Sequence, residues 1–92
     1  MFLLQDQTTN IDGTSIEFNP IDYNEKIFIC SGTFDGCVVK VEVKGDGDWV
    51  GCGDESVFTE KGSCLIVLRG GLFVRGVVSS AGAGTSVSLE MV

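Results

Sequence analysis

The fold is decided by the stretch Cys37-Val38-Val39-Lys40-Val41-Glu42-Val43-Lys44. Cys37 and the valines at 39, 41 and 43 share one side of an extended chain, because successive side chains of a β-strand point to opposite faces. Lys40 and Glu42 lie on the other side. A shift of one residue would bring these two charges into the core, so the pattern also determines the register. The segment predicts a β-strand with one buried face.

The rest of the chain consists of short apolar runs that end at glycine, asparagine or aspartate, which are typical turn residues. No segment after residue 37 has the 3.6-residue repeat of a helix face. Nine runs resemble strands, and we expect seven or eight of them to form strands: residues 2–7, 14–18, 25–30, 37–44, 49–50, 56–59, 63–68, 72–79 and 85–92. Asn10-Ile11-Asp12-Gly13 is expected to turn between the first two, because Asp-Gly favours a type I′ hairpin turn.

These runs predict an all-β fold, namely a single antiparallel β-sandwich of about seven or eight short strands with Ig-like or jelly-roll topology. A small closed barrel is the alternative. The 92 residues make one domain, 1–92, in which residues 1–9 form either an N-terminal arm or an edge strand.

Two runs, 25–30 and 63–68, carry apolar residues on both faces of the extended chain, which favours central strands that are covered on both faces. The expected core combines the inward positions of all the clear strands. Its members are Ile16, Phe18, Ile27, Ile29, Val39, Val41, Val43, Ile66, Leu68, Val74, Val78, Val87 and Leu89.

The charge balance limits the partners. Thirteen acidic and six basic residues give a net charge of −7, and the bases do not cluster in the sequence. We therefore expect binding neither to nucleic acid nor to an anionic membrane surface. The opening Met1-Phe2-Leu3-Leu4 is too short an apolar run for a signal peptide, which predicts synthesis and retention in a cytosol-like compartment.

The cysteines are Cys30, Cys37, Cys52 and Cys64, and histidine is absent. Without a Cys-x-x-Cys spacing, free buried thiols are expected rather than a zinc site. Cys30 and Cys37 flank a hairpin loop, and whether they form a disulfide is left open.

The acidic loop contains Asp46 and Asp48, with Asp54 and Glu55 shortly after. These oxygens could bind calcium, but the loop lacks the spacing of an EF-hand, so a solvated turn is expected. Nucleophilic catalysis needs a base, and no histidine is present to serve as one. The sequence therefore predicts neither an enzyme nor a cofactor.

Three aromatic residues are candidate partner contacts: Phe34 at a hairpin tip, Trp49 after the acidic turn, and Tyr23 in a loop. Aromatic side chains dominate the energetics of protein interfaces. For Trp49 the alternative is a cap on one end of the core.

Residues 32–43, 47–49 and 71–89 resemble a pattern found in small virion proteins of tailed bacteriophages. It comprises a Gly-Thr-Phe-x-Gly hairpin, a valine-rich strand, a Gly-x-x-Trp turn, an aromatic-Val-Arg strand and a Ser-Gly-Ala-Gly-type turn before a Ser-Val-Ser strand; at the third of these the chain has the shorter Gly47-Asp48-Trp49.

The resemblance implies a non-enzymatic structural component of the virion, most simply a capsid decoration or cement protein. Its implied partners are other copies of itself, with a trimer favoured, and the major capsid protein or other virion proteins. The implied location is the virion, assembled in the cytoplasm of the bacterial host. The alternative is a binding module of a head or tail appendage that recognises a host carbohydrate or surface protein.

Overall fold

The structure is a computed structural model that describes residues 1–17 and 23–92. Ten strands lie in these ranges: β1 (Phe2–Gln7), β2 (Ile11–Asp12), β3 (Ile16–Glu17), β4 (Tyr23–Thr33), β5 (Val38–Lys44), β6 (Val50–Gly51), β7 (Val57–Phe58), β8 (Gly62–Arg69), β9 (Phe73–Ser79) and β10 (Ser86–Met91). Within the same ranges the helical content is one 3₁₀ turn, Asp54–Ser56. Four of the strands have only two residues, which explains why the count exceeds the seven or eight predicted.

The strands form two antiparallel sheets. The first has the order β1-β10-β4-β8, and the second has the order β2-β9-β5-β6, with β3 also paired to β9 and β7 to β5. The connections β4–β5, β8–β9 and β9–β10 all cross from one sheet to the other, so neighbours along the chain face each other across the core. The predicted all-β class and antiparallel sandwich are confirmed.

The core lies between the two sheets and is built from the inward positions of both. The clear alternation in β5, β9 and β10 is confirmed, since Leu89 and the inward valines at 39, 41, 74, 78 and 87 are buried and Val43 packs against the core. Gly76 of β9 lies where a β-carbon would come within 2.9 Å of Leu4 and Leu89. The buried apolar residues are Leu3, Leu4, Phe28, Cys30, Cys37, Val39, Val41, Phe58, Leu68, Val74, Val78, Val87, Leu89 and Met91.

The prediction of which β4 side chains point into the core was wrong. Ile27 and Ile29 are 47% and 39% exposed, whereas Phe28 and Cys30 are buried. The pairing with β10 explains the difference, because Phe28 lies opposite Met91 and Cys30 opposite Leu89 and paired residues of antiparallel strands share a face. The remaining predicted core residues fall in three groups: Leu68 is buried, Ile16, Val43 and Ile66 pack against the core, and Phe18 lies outside the described residues.

The predicted hairpin turn at residues 10–13 was also wrong. Ile11 pairs with Val78, and the β3 residue Ile16 pairs with Val74, so β2 and β3 run along the same edge of β9 as one interrupted strand. Between them the amide of Gly13 donates to the carbonyl of Gly76 at 2.7 Å. The exposed hydrogen-bonding groups of β9 thus hold the chain extended where Asp-Gly alone would favour a turn.

The first strand, β1, is an edge of the first sheet and pairs with β10 of the same chain. Its register shifts twice, between Phe2 and Leu4 and again between Leu4 and Gln7. A bulge changes which side chains face inward, so the adjacent Leu3 and Leu4 are both buried.

Candidate protein interface

The solvent side of the first sheet carries four exposed aliphatic side chains, which we call the apolar outer face: Ile27 and Ile29 of β4, and Leu65 and Val67 of β8. Leu65 is 56% exposed and Val67 is 47% exposed. Ile27 lies directly opposite Leu65 in the β4–β8 ladder, so the four side chains form a contiguous cluster.

The sequence builds this face because residues 27–30 and 64–68 are apolar at every position. Only the inward half of each strand is needed for the core. On β10, by contrast, the solvent positions are polar, for example Ser88 and Glu90. Four aliphatic side chains, each about half exposed, leave on the order of 300–400 Å² of apolar surface in water, the size of patch that on a monomer often marks an interaction site.

The apolar outer face continues beyond these four residues. Val92 is 61% exposed, and its amide donates to the carbonyl of Ile27 at 2.8 Å. The charged residues nearest in the strand pairing are Glu25, opposite Val67, and Glu90, opposite Ile29. Arg69, which follows Val67 on the same side of β8, is also exposed. The surface therefore has an apolar centre with charged groups of both signs at its border, an arrangement typical of protein interfaces.

The β8 strand was predicted to be central, but it is an edge of the first sheet. It pairs with β4 over eight consecutive residues without a register shift, and residues 62–68 carry no charge. The opposite edge, β1, has two register shifts and contains Asp6. Natural edge strands are usually protected by charges, bulges or short length. In the described part of the chain, the outer edge of β8 is long and has no bulge, and its charged residue is Arg69 at the end of the strand.

The solvent side of the second sheet is different, because charged side chains pair across it. Nε and Nη2 of Arg75 donate to Oε1 of Glu42 at 3.0 and 2.9 Å, and Nη1 of Arg75 lies 3.8 Å from Asp12. The guanidinium carbon of Arg75 is 4.3 Å from the centroid of the Trp49 ring, and Nζ of Lys44 is 6.0 Å from it. These contacts partly cover Trp49 from within the chain.

Phe34, the second predicted contact, is half-buried and packs against the core in the loop between β4 and β5. Its carbonyl accepts a hydrogen bond from Oγ1 of the buried Thr85 at 2.8 Å, and that oxygen accepts from the amide of Gly82 at 2.9 Å. Oδ2 of Asp35 accepts from the amide of Gly84 at 2.7 Å. The loop that carries Phe34 is therefore tied to the β9–β10 turn.

The structure does not bring Phe34 and Trp49 together. Phe34 precedes β5 and Trp49 follows it, so a seven-residue strand of about 23 Å separates them. Tyr23 begins β4 opposite Arg69, and its side chain lies outside the described part of the chain. Their roles as partner contacts remain predictions. The sequence does not separate these exposed aliphatic residues from core residues, because both runs are apolar on both faces; that two-sided apolar pattern is the available signal.

All four cysteines are free, and Cys30 and Cys37 are buried. Burial, with Cys37 nearby, raises the pKa of Cys30 from 9.0 to about 12. Burial also raises the pKa of Cys37, Cys52 and Cys64. Thiols with raised pKa values stay protonated at neutral pH and are poor nucleophiles.

The acidic loop and the cysteines do not assemble a metal site in the described residues, where no three side chains of the metal-binding types converge. A surface depression of about 280 Å³ lies beside the 3₁₀ turn and is lined by residues 54–55 and 57–63. Within residues 1–17 and 23–92, no helix is long and apolar enough to cross a bilayer.

Comparison with protein-family models, with curated proteins and with solved structures finds no match for this chain. Its function must therefore be inferred from its own surfaces. Of these, the apolar outer face and the adjoining edge of β8 depart most from what a solitary β-sandwich needs.

Proposed function

We propose that the chain is a structural assembly protein of a tailed-phage virion, which acts by binding protein surfaces rather than by catalysis. The observation that carries the proposal is the apolar outer face, in which Ile27 and Leu65 lie side by side in solvent. Burial of such a surface releases about 25 cal/mol per Å², so a protein partner that covers it gains binding energy.

The charge distribution favours a protein partner. The chain has a net charge of −7, which disfavours contact with phosphate backbones. The apolar outer face has no charge at its centre, and Glu25, Glu90 and Arg69 border it. A partner surface with an apolar centre and polar or charged margins would complement it.

The assignment to a virion rests on the resemblance of residues 32–43, 47–49 and 71–89 to small phage structural proteins. Within that class, a capsid decoration or cement protein fits best, because such a protein needs a rigid domain with a surface for the shell. In this proposal the shell is built of the major capsid protein, and the chain binds it as a homo-oligomer.

Recognition of carbohydrate, the alternative, is typically made by aromatic rings that share a surface. Phe34 and Trp49 lie at opposite ends of β5, and Arg75 covers one side of the indole. No observation on the described residues favours this alternative, so we do not propose it.

The test is complementation of a phage genome from which the reading frame for this chain has been deleted. The plasmid-borne chain is wild type, Ile27→Lys or Val50→Lys, and quantitative mass spectrometry measures the chain in particles purified on a density gradient. Val50 is the matched control, because it is an apolar residue 55% exposed on the other sheet.

Wild type and Val50→Lys should enter particles in stoichiometric amount, whereas Ile27→Lys should be depleted at least about tenfold, since a lysine in an apolar interface loses its hydration. Circular dichroism should show all three chains folded. Particles that contain no wild-type chain, or that incorporate Ile27→Lys fully, would contradict the proposal.

A further inference from the structure

We propose that two copies of the chain join through their β8 strands, which pair antiparallel about a two-fold axis at Ile66. The two first sheets would become one continuous eight-stranded sheet. The inference deepens the proposed function, since it rests on the chain acting by protein contact and names a second copy as the occupant of the β8 edge. The apolar outer face stays available for the shell.

Electrostatic repulsion limits which sheet edge of the chain can meet its own copy. Two copies that each carry −7 repel one another, so a self-contact must avoid acidic groups. In a two-fold contact each patch meets itself, and like charges placed directly opposite destabilise a strand pair. Residues 62–68 of β8 carry no charge. The edge formed by β2 and β3 contains Asp12 and Glu17, and the β1 edge contains Asp6.

Backbone regularity also favours the β8 edge. A free edge can extend a sheet only where its backbone is regular, because a bulge breaks the hydrogen-bonding ladder. The β8 strand pairs with β4 through eight consecutive residues, from Gly62 to Arg69, without a shift. The β1 edge shifts register twice in six residues. Pairing of β8 with β8 is therefore favoured over a head-to-tail pairing of β8 with β1, which could form rings of three.

The register follows from the side-chain pattern. Side chains alternate between the two faces of a strand, so the two apolar outer faces lie on the same side of the joined sheet only if odd-numbered residues pair with odd-numbered residues. This condition places the two-fold axis at a residue and not between two residues. An axis at Leu65 would set Lys61 opposite Arg69 of the other copy. An axis at Ile66 avoids this like-charge pair and sets Leu65 opposite Val67 of the other copy. The second register is thus the favoured one.

The pairing has a consequence for the apolar outer face. Leu65 and Val67 of each copy would lie next to their counterparts, so eight aliphatic side chains would form one band across the junction. The contact through a single strand is smaller than the roughly 800 Å² per partner of a standard stable interface. The dimer should therefore be weak in solution, and neighbouring binding positions on a shell would strengthen it through effective concentration.

The experiment is a charge swap at Ser63, which the register places opposite Arg69 of the other copy. Ser63 is exposed and lies opposite Ile29 within the chain. It also lines the surface depression beside the 3₁₀ turn, whose charged residues include Glu55 and Lys61. Sedimentation equilibrium of wild type, Ser63→Glu and Ser63→Arg, from about 10 µM to about 1 mM, measures dimerisation in the range expected for a small interface. Ser31→Glu and Ser31→Arg, on the outer face of the central strand β4, are the matched controls.

Wild type should dimerise reversibly. Ser63→Glu should tighten the dimer and Ser63→Arg should weaken it, each by about 3–10-fold, since two symmetric cross-strand pairs are changed. The Ser31 variants should match wild type. In a sample mixed from labelled and unlabelled chains, isotope-filtered NMR should show contacts between Leu65 of one copy and Val67 of the other.

A monomer at every concentration would overturn the inference, as would a dimer or trimer that responds equally to Ser63→Glu and Ser63→Arg. These outcomes are separable from failure of the proposed function, which is measured by incorporation into particles and by Ile27→Lys. A chain that enters particles but never pairs through β8 would leave the proposed function intact and this inference wrong.

Discussion

The guanidinium of Arg75 lies over the indole of Trp49, with 4.3 Å between the guanidinium carbon and the ring centroid. The same guanidinium makes two hydrogen bonds to Glu42 across the β5–β9 ladder. Both charged side chains are about one-fifth exposed. The arrangement ties the β5–β6 connection, which carries Trp49, to the middle of the second sheet.

Replacing Arg75 with methionine should therefore lower the free energy of unfolding by about 1–3 kcal/mol, because Glu42 would lose its charged partner at a poorly solvated site. Trp49 is the only tryptophan, so its fluorescence reports both the local change and unfolding in urea. Lys40→Met on the exposed side of β5 is the control and should change stability by less than about 0.5 kcal/mol. Equal stability of the two variants would show that the Arg75 contacts contribute nothing.

Gly76→Ala should destabilise the protein by about 1–3 kcal/mol, since the new methyl group would press against Leu4 and Leu89 in a close-packed core. Gly47→Ala is the matched control, because no atom lies within 4 Å of the position its β-carbon would take. Thermal and urea unfolding of both variants measure the difference. A Gly76→Ala protein as stable as Gly47→Ala would mean that the sheets are not packed this closely.

Thr85→Val should cost about 1–3 kcal/mol, because the valine keeps the shape but leaves the carbonyl of Phe34 and the amide of Gly82 without their shared partner. Hydrogen exchange should also show faster exchange at Gly82, whose amide donates to the lost hydroxyl. Thr59→Val, at an exposed position, is the control for the change of side chain and should be nearly neutral. Unchanged exchange at Gly82 would contradict the proposed role of the hydroxyl.

Alkaline pH should destabilise the fold through Cys30. Its pKa is raised from 9.0 to about 12, so between these values the folded state keeps a proton that the unfolded state has lost. The contribution of Cys30 to the free energy of unfolding is therefore fully present below pH 9. It is lost as pH rises towards 12, by about 1.4 kcal/mol per pH unit for one such thiol. Urea titrations at several pH values, with Cys30→Ala for comparison, measure the slope. The variant should be less stable at pH 7 but should lose stability less steeply above pH 9; identical slopes would exclude Cys30 as the cause.

The fold was predictable where the sequence alternates cleanly. The β5 and β10 strands each have polar residues on one side, so the facing of Val41 and Leu89 could be read directly from the chain. Both faces of β4 are apolar, so the local pattern does not show whether Ile27 or Phe28 points into the core. The choice is made by pairing with β10, whose residues lie about 60 positions away in the chain, and a single sequence does not reveal such pairing.

The candidate interface was less predictable than the fold for the same reason. Apolar residues at 65 and 67 indicate a strand covered on both sides, but among the described residues the sheet order makes β8 an edge, and Leu65 and Val67 are about half exposed. Aromatic residues are common at interfaces, which makes Trp49 a candidate contact. In the structure Trp49 contacts Arg75 through the pairing of β5 with β9, and its role towards a partner stays a prediction.

The position of β10 between β1 and β4 has a consequence for biosynthesis. A ribosome releases the chain from its first residue onwards, so β1 and β4 emerge long before the strand that must lie between them. The first sheet cannot close until residue 91 is free, and slow formation from such distant partners is expected. Until then, the unpaired edges of β1 and β4 can pair with strands of other chains. A cell that makes many copies at once would need either chaperones or rapid synthesis of the remaining residues.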